Sequence, residues 1–150
     1  MKLQDELHTR GFESDGHEAL LNVLFTASWL RCAGQRRFKP YGLTPEQYNV
    51  LRILRGSHPR AMLVKDITCR MIDRSSNTTR IIDKLAARGL VARSANPDNR
   101  REVLVRLEDA GQQLLATISA EVPTPAALSL SQAEARQLNM LLDKLRDSDF

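Results

Sequence analysis

The stretch Ser75-Ser76-Asn77-Thr78-Thr79-Arg80-Ile81-Ile82-Asp83-Lys84-Leu85, followed by Arg88-Gly89-Leu90-Val91, decides how this chain reads. Ile81, Ile82 and Leu85 recur at helical spacing, and Gly89 is placed to close the helix in a left-handed cap, so the stretch predicts a helix over about 75–88. Its two faces differ chemically. Ile81, Ile82 and Leu85, with Thr78, are expected to pack inward. Ser75, Ser76, Asn77, Thr79, Arg80 and Lys84 stay largely outside. Small side chains let a helix approach base edges closely, and Asn and Arg form bidentate contacts with adenine and guanine in the major groove. The helix N-terminus adds N–H donors for a phosphate. Taken alone, the same outer face also fits a capped, solvated helix.

On the N-terminal side a shorter helix is expected over about 64–72, with Ile67 and Met71 facing the first, and only Asp73-Arg74 between the two. That is helix-turn-helix spacing. On the C-terminal side the period changes. Val91 and Arg93 precede a polar turn from Ala95 to Asn99, and Val103, Val105 and Leu107 then alternate with Glu102, Leu104 and Arg106. Two short runs around an Asn-Pro-Asp-Asn tip predict a β-hairpin, which in this position is a wing. Asp98-Asn99-Arg100-Arg101 sets two guanidinium groups at its tip. An Arg on a protruding tip suits the narrow minor groove, where the negative potential is strongest. Asp98 is expected to orient a neighbouring Arg through a charge-assisted hydrogen bond.

Further out, Thr44 as N-cap, Pro45 at the first helical position and Tyr48, Val50, Leu51 and Leu54 predict a helix over about 45–55. Leu20, Val23, Leu24, Ala27, Trp29 and Leu30 place a long first helix over about 13–37, with residues 1–15 a separate short helix or an arm. After Leu107 a helix carries Leu114, Leu115 and Ile118, and Pro123 and Pro125 interrupt it. Ser131, with Glu134 at capping-box spacing, opens a last helix with Leu138, Leu141, Leu142 and Leu145 on one face. The outer stripes have no partner inside a small winged-helix unit, which points to a second copy of the chain. Two recognition helices would then meet successive major grooves about 34 Å apart on an inverted repeat.

Charge agrees with this division. Of 150 residues, 42% are hydrophobic and 27% charged, as in an ordinary soluble fold; aromatics, at 5%, are too few for a reader built on stacking platforms. Residues 58–106 carry 11 Lys/Arg against 5 Asp/Glu, whereas residues 107–150 carry 3 against 7. A basic middle before an acidic end suits a polyanion-binding module beside a part with another task. The polar N-terminus is not a signal peptide, and no apolar run reaches the ~20 residues of a membrane span, so a cytoplasmic protein is expected. Cys32 and Cys69 make no disulfide framework, and His8, His17 and His58 have no metal-ligand spacing. No nucleophile elbow, phosphate loop or dinucleotide fingerprint is present, so neither an enzyme nor a cofactor is expected.

The run from Ser75 to Leu85, the Arg88-Gly89-Leu90-Val91 that follows, the Asp98-Asn99-Arg100-Arg101 tip and Gly42-Leu43-Thr44-Pro45-Glu46-Gln47-Tyr48-Asn49-Val50-Leu51 together resemble the MarR family, over about residues 17–146. Two departures are visible. Asp73 stands where a Gly is frequent, which a left-handed turn tolerates. Glu108 stands where a Thr is usual, with Asp109 available as a cap instead.

The resemblance implies a mainly α fold with a small β-hairpin wing: a winged helix-turn-helix with N- and C-terminal dimerisation helices. The expected organisation is one domain over 1–150, with a DNA-binding lobe at 44–107 and dimerisation helices at 13–40 and 108–147. It implies a homodimeric, sequence-specific reader of double-stranded DNA, a repressor relieved by a small phenolic or other aromatic effector. The expected DNA set is Ser75, Ser76, Asn77, Thr79, Arg80, Lys84, Asp98, Asn99, Arg100 and Arg101. Trp29, Tyr41 and Tyr48 fall near the expected effector pocket. The alternatives are a winged-helix protein–protein adaptor without DNA binding and a cysteine-based redox-sensing regulator.

Overall fold

A computed structural model describes residues 1–121 and 130–147. Its elements run α1 (Leu3–Glu6), α2 (Asp15–Phe38), a 3-10 turn (Lys39–Tyr41), α3 (Pro45–Ser57), β1 (Met62–Leu63), α4 (Val64–Arg70), α5 (Thr78–Ala87), β2 (Val91–Ala95), β3 (Val103–Leu107), α6 (Asp109–Glu121) and α7 (Gln132–Arg146). The three strands form one antiparallel sheet in the order β1-β3-β2. Val91 stands opposite Leu107 and Ala95 opposite Val103, so the wing hairpin is in register along its whole length. β1 adds Met62 opposite Val105. This third strand was not anticipated, because two residues are too few to show alternation. No helix among the described residues is long and apolar enough to cross a membrane.

Helix boundaries follow local hydrogen bonding. Ser14 caps α2 by accepting the His17 N–H, and Thr44 with Gln47 forms a reciprocal capping box on α3. Thr44 Oγ1 accepts the Gln47 N–H at 3.2 Å, and Gln47 Oε1 accepts the Thr44 N–H at 2.9 Å. The 3-10 turn ends at Gly42, which takes φ 63°, and α5 ends before Gly89 at φ 67°. Both are left-handed positions that glycine occupies without a Cβ penalty.

One core closes the lobe. Val50, Leu51 and Leu54 of α3, Ile67 of α4, Ile82 and Leu85 of α5, and Val105 and Leu107 of β3 are all buried. α3 packs against α4, α5 and β3, and α4 packs against α5. Each such side chain, moved out of water, contributes about 1.5–3 kcal/mol before conformational entropy is set against it.

The described residues fall into two compact units, one reaching Thr117 and one beginning at Ile118. In the second, Ser131 Oγ accepts the Glu134 N–H, and Glu134 Oε2 accepts the Ser131 N–H at 2.7 Å, completing the expected capping box. Hydrogen bonds from Ser131 to the Glu134 carboxylate, its side chain first and its backbone N–H second, hold that carboxyl below its ordinary pKa. α7 has no buried residue. The expected break at Pro123 and Pro125 lies outside the described residues. Asp109 does not cap α6 but is its first helical residue.

Candidate nucleic-acid interface

The segment joining α4 to α5 is longer than two residues. Helix α4 stops at Arg70 because Met71 turns to extended backbone, and the Ile72 N–H leaves the helical pattern to donate to Asn49 Oδ1 at 3.0 Å. Helix α5 begins at Thr78, so the expectation of a helix from 75 is corrected. Ser75 and Ser76 belong to the turn, where Asp73 Oδ1 accepts both the Ser75 N–H, at 3.0 Å, and the Ser75 hydroxyl. Those bonds, the serine hydroxyl foremost, hold the Asp73 carboxyl below its ordinary pKa, with a smaller contribution from the charge of Arg31. Asn77 is the N-cap, its Oδ1 accepting the Arg80 N–H at 3.0 Å. Short polar side chains here outcompete the helix for backbone donors. They leave a turn of small residues in front of the helix N-terminus.

Thr78, Ile82 and Leu85 of α5 are buried, and Ile81 is half-buried. Thr79, Arg80 and Lys84 are exposed. The predicted polar face is therefore continuous with Ser75, Ser76 and Asn77, although those three stand on turn and cap rather than on the helix.

In the wing, Asp98, Asn99, Arg100 and Arg101 all lie at the exposed tip. Asp98 does not orient an arginine. Among the described residues it makes no ion pair, and its N–H donates to Asn96 Oδ1 at 3.1 Å. The tip is organised instead by two asparagines. The carbonyl of Asn96 accepts the Asn99 N–H, the carbonyl of Asn99 accepts the Glu102 N–H, and Asn99 Oδ1 accepts the Arg101 N–H at 3.1 Å. Asn at such positions bonds the backbone two residues on and supplies the turn without strain. Among the described residues neither Arg100 nor Arg101 forms an ion pair, so both guanidinium groups are left for a polyanion.

Three long-range links orient these parts, and sequence reasoning missed all three. Arg93 on β2 pairs with Asp83 on α5, joining wing to helix. Lys65 Nζ on α4 lies 2.6 Å from Glu102 Oε1 at the wing. Arg88 donates to the carbonyls of Gly42 at 2.6 Å and Tyr41 at 3.0 Å, fastening the end of α5 to the turn that follows α2. Each partner lies 10 to 47 positions away, beyond any local pattern. Among the described residues no cluster of His, Cys, Asp and Glu could hold a metal ion.

None of Trp29, Tyr41 and Tyr48, the aromatic residues expected near an effector pocket, lines the apolar cleft beside Asn49. Tyr48 stacks on Phe38 with centroids 4.2 Å apart, and its hydroxyl accepts from Arg52. Tyr41 offers its carbonyl to Arg88, and Trp29 is exposed on α2. The cleft, mostly apolar and of about 380 Å³, opens between Ala27, Leu30 and Arg31 of α2, Pro45, Glu46 and Asn49 of α3, and Met71 to Asp73 of the turn into α5. Cys32 and Cys69 are both exposed free thiols, on α2 and α4.

Comparison with known proteins agrees with this geometry. Residues 43–103 match the model of the MarR family. The chain is 33% identical over 112 residues to the HTH-type transcriptional regulator YkoM of Bacillus subtilis, covering 73% of this chain and 71% of that one. A MarR transcription factor from Planctomyces limnophilus superposes with a TM-score of 0.68 at 34% identity, over 92% of this chain and 100% of the other. BpsR of Bordetella bronchiseptica, whose DNA binding is regulated by 6-hydroxynicotinic acid, superposes with a TM-score of 0.68 at 30% identity, over 91% and 96%. The chain belongs to the MarR family and is a winged helix-turn-helix, DNA-binding transcriptional regulator.

Proposed function

We propose that this regulator is a cytoplasmic repressor that binds an inverted repeat as a homodimer and releases it when a small aromatic acid binds. The observation that carries the DNA part is the pairing of two features on one scaffold. The small polar face from Ser75 to Lys84 suits base edges in the major groove, and the unpaired Arg100 and Arg101 suit the adjacent minor groove. Exposed Leu24 and Leu30 on α2, and Leu138 and Leu141 on α7, support a partner copy of the chain. Repression follows from occupancy: a dimer covering two half-sites across a promoter blocks polymerase.

The cleft supports the ligand part. Its apolar walls suit an aromatic ring, and a ligand carboxylate would reach Arg31 by competing with Asp73, which lines the same cleft with Glu46. One wall is the turn into α5, held to α3 through Asn49. A ligand there competes for that turn and favours dimers whose recognition helices no longer match the groove spacing. BpsR answers to a ligand of this chemical class.

The test is selection of duplexes from a random pool by the purified protein, then titration of the best site with salt and with aromatic acids. An enriched inverted repeat, affinity falling steeply with salt, and release by millimolar salicylate or 6-hydroxynicotinate are expected. Sequence-blind binding sinks the DNA reading. A ligand-indifferent complex sinks only the effector part.

A further inference from the structure

Glu102 stands where the wing begins its return strand, and the DNA-contacting set does not use it. Its carboxylate nevertheless joins two side chains, one inside the wing and one outside it. Oε1 meets Lys65 Nζ at 2.6 Å, Oε2 accepts from Asn96 Nδ2 at 2.9 Å, and the Glu102 carbonyl accepts the Asn96 N–H at 3.0 Å. Asn96 in turn holds the Asp98 and Asn99 backbone N–H groups, so the Glu102 carboxylate is bonded to one of the two asparagines that organise the tip. The same carboxylate reaches out of the wing to the first turn of α4, the helix packed against α5. Lys65 and Glu102 line a groove of about 240 Å³ whose other walls include Thr79 of the recognition helix and Arg101 of the tip. The pair therefore lies between the two parts of the protein that meet DNA.

We propose that Glu102 is a positioning residue: through Lys65 it ties the wing tip to the helix-turn-helix, and so fixes where Arg100 and Arg101 enter the minor groove relative to α5. The inference rests on the DNA reading above and adds a residue that touches no base. Titration agrees with the geometry. The hydrogen bond from Lys65 holds the Glu102 carboxyl below its usual range, Asn96 adding to it, and Glu102 raises the Lys65 ammonium. With its charge matched by Glu102, Lys65 acts as a tether rather than as a phosphate ligand.

The test compares two probes: the duplex that the wild-type protein selects from a random pool, and the same duplex with the A·T pairs outside each half-site replaced by G·C. The ratio of the two affinities reads wing placement, because minor-groove width outside the half-site depends on those pairs. In full-length protein, Glu102→Ala and Lys65→Met should each lower that ratio by at least about fivefold, the low end of single-position specificity effects. The double variant should lower it no further than either alone, the mark of a shared link. Thermal midpoints separate this from loss of fold. Lys65→Met alters a mostly exposed side chain and keeps the test available if Glu102→Ala unfolds.

An unchanged ratio in both variants overturns the proposal. So does a Lys65→Met variant that weakens both probes equally and lowers the salt slope by about one, since Lys65 would then be a phosphate contact. If the wild-type protein selects no duplex, it is the DNA reading that falls, and this inference falls with it.

Discussion

The winged-helix lobe and the helices α2 and α7 use the same kind of leucine pattern to opposite ends. In the lobe, Leu43, Leu51, Leu54, Leu85, Leu90 and Leu107 are buried, and α5 closes its face with Ile82 at 0% exposure. In α7 no residue is buried and Leu141 is 58% exposed; in α2 Phe38 alone is buried and Leu24 is also 58% exposed. An amphipathic stripe states that a face avoids water, not which surface covers it. In the lobe, short connections bring α3, α4, α5 and β3 over one another within the chain. On the outer helices much of the apolar face is uncovered within the chain. The lobe thus carries the candidate DNA face, and in the proposed dimer the outer helices would hold two such lobes at a set spacing.

The largest expected effect tests that contrast directly. Leu24→Glu or Leu141→Glu places a charge on the outer stripes and should turn a dimer into a monomer in light scattering at micromolar protein. DNA affinity should drop by roughly a hundredfold, because two linked half-sites bind with avidity. A variant that stays dimeric would break the division of labour. Next, Leu85→Ala should cost about 3 kcal/mol in denaturant unfolding, as core truncations do, whereas Leu141→Ala should cost far less in the monomeric chain. Equal costs would erase the contrast.

Gly111 sharpens the comparison at a single position. A Cβ there would lie 2.4 Å from the Leu90 carbonyl oxygen and 2.7 Å from Leu107 Cδ1, so α6 crosses the end of the lobe too closely for any side chain. Gly111→Ala should destabilise by about 2 kcal/mol. Gly56→Ala, on α3 with nothing near its Cβ, should instead stabilise by up to about 1 kcal/mol. Thermal midpoints moving in the same direction would contradict this. The smallest effect concerns the α7 cap. The Glu134 carboxyl is held below its ordinary pKa, so its contribution is present above the usual glutamate range and lost as pH falls through the depressed value. Ser131→Ala should cost about 1 kcal/mol and abolish that acid-dependent part, read from helical circular dichroism between neutral pH and acid.

Much of the candidate site was legible because local chemistry announces it. Arg100 and Arg101 follow a turn-forming run, Gly89 must close a helix, and Ile82 with Leu85 marks a buried face. The spacing of Ser75 and Ser76 fits a helix, but they lie in the turn before α5. The competing bonds from Asp73 and Asn77 appear only once the backbone is in place. An acid beside a base at Asp98 suggests an ion pair, yet the tip is closed by bonds to Asn96 and Asn99.

By itself the sequence determined what periodicity, caps and turn chemistry determine: the helices and their order, the hairpin, the basic middle third and the two unsatisfied leucine stripes. These depend on neighbours within a few residues, where propensity and side-chain to backbone bonding act. Tertiary structure alone decided that β1 would join the sheet, that Arg88 would fasten α5 to Tyr41 and Gly42, and that Glu102 would meet Lys65. It alone decided that Gly111 must lack a side chain, and that the apolar cleft would open beside Asn49 rather than around Trp29, Tyr41 and Tyr48. The physical reason is the same for each. A bond between residues far apart in the chain exists only after the core has brought their elements together, and no local pattern records which distant surface will arrive.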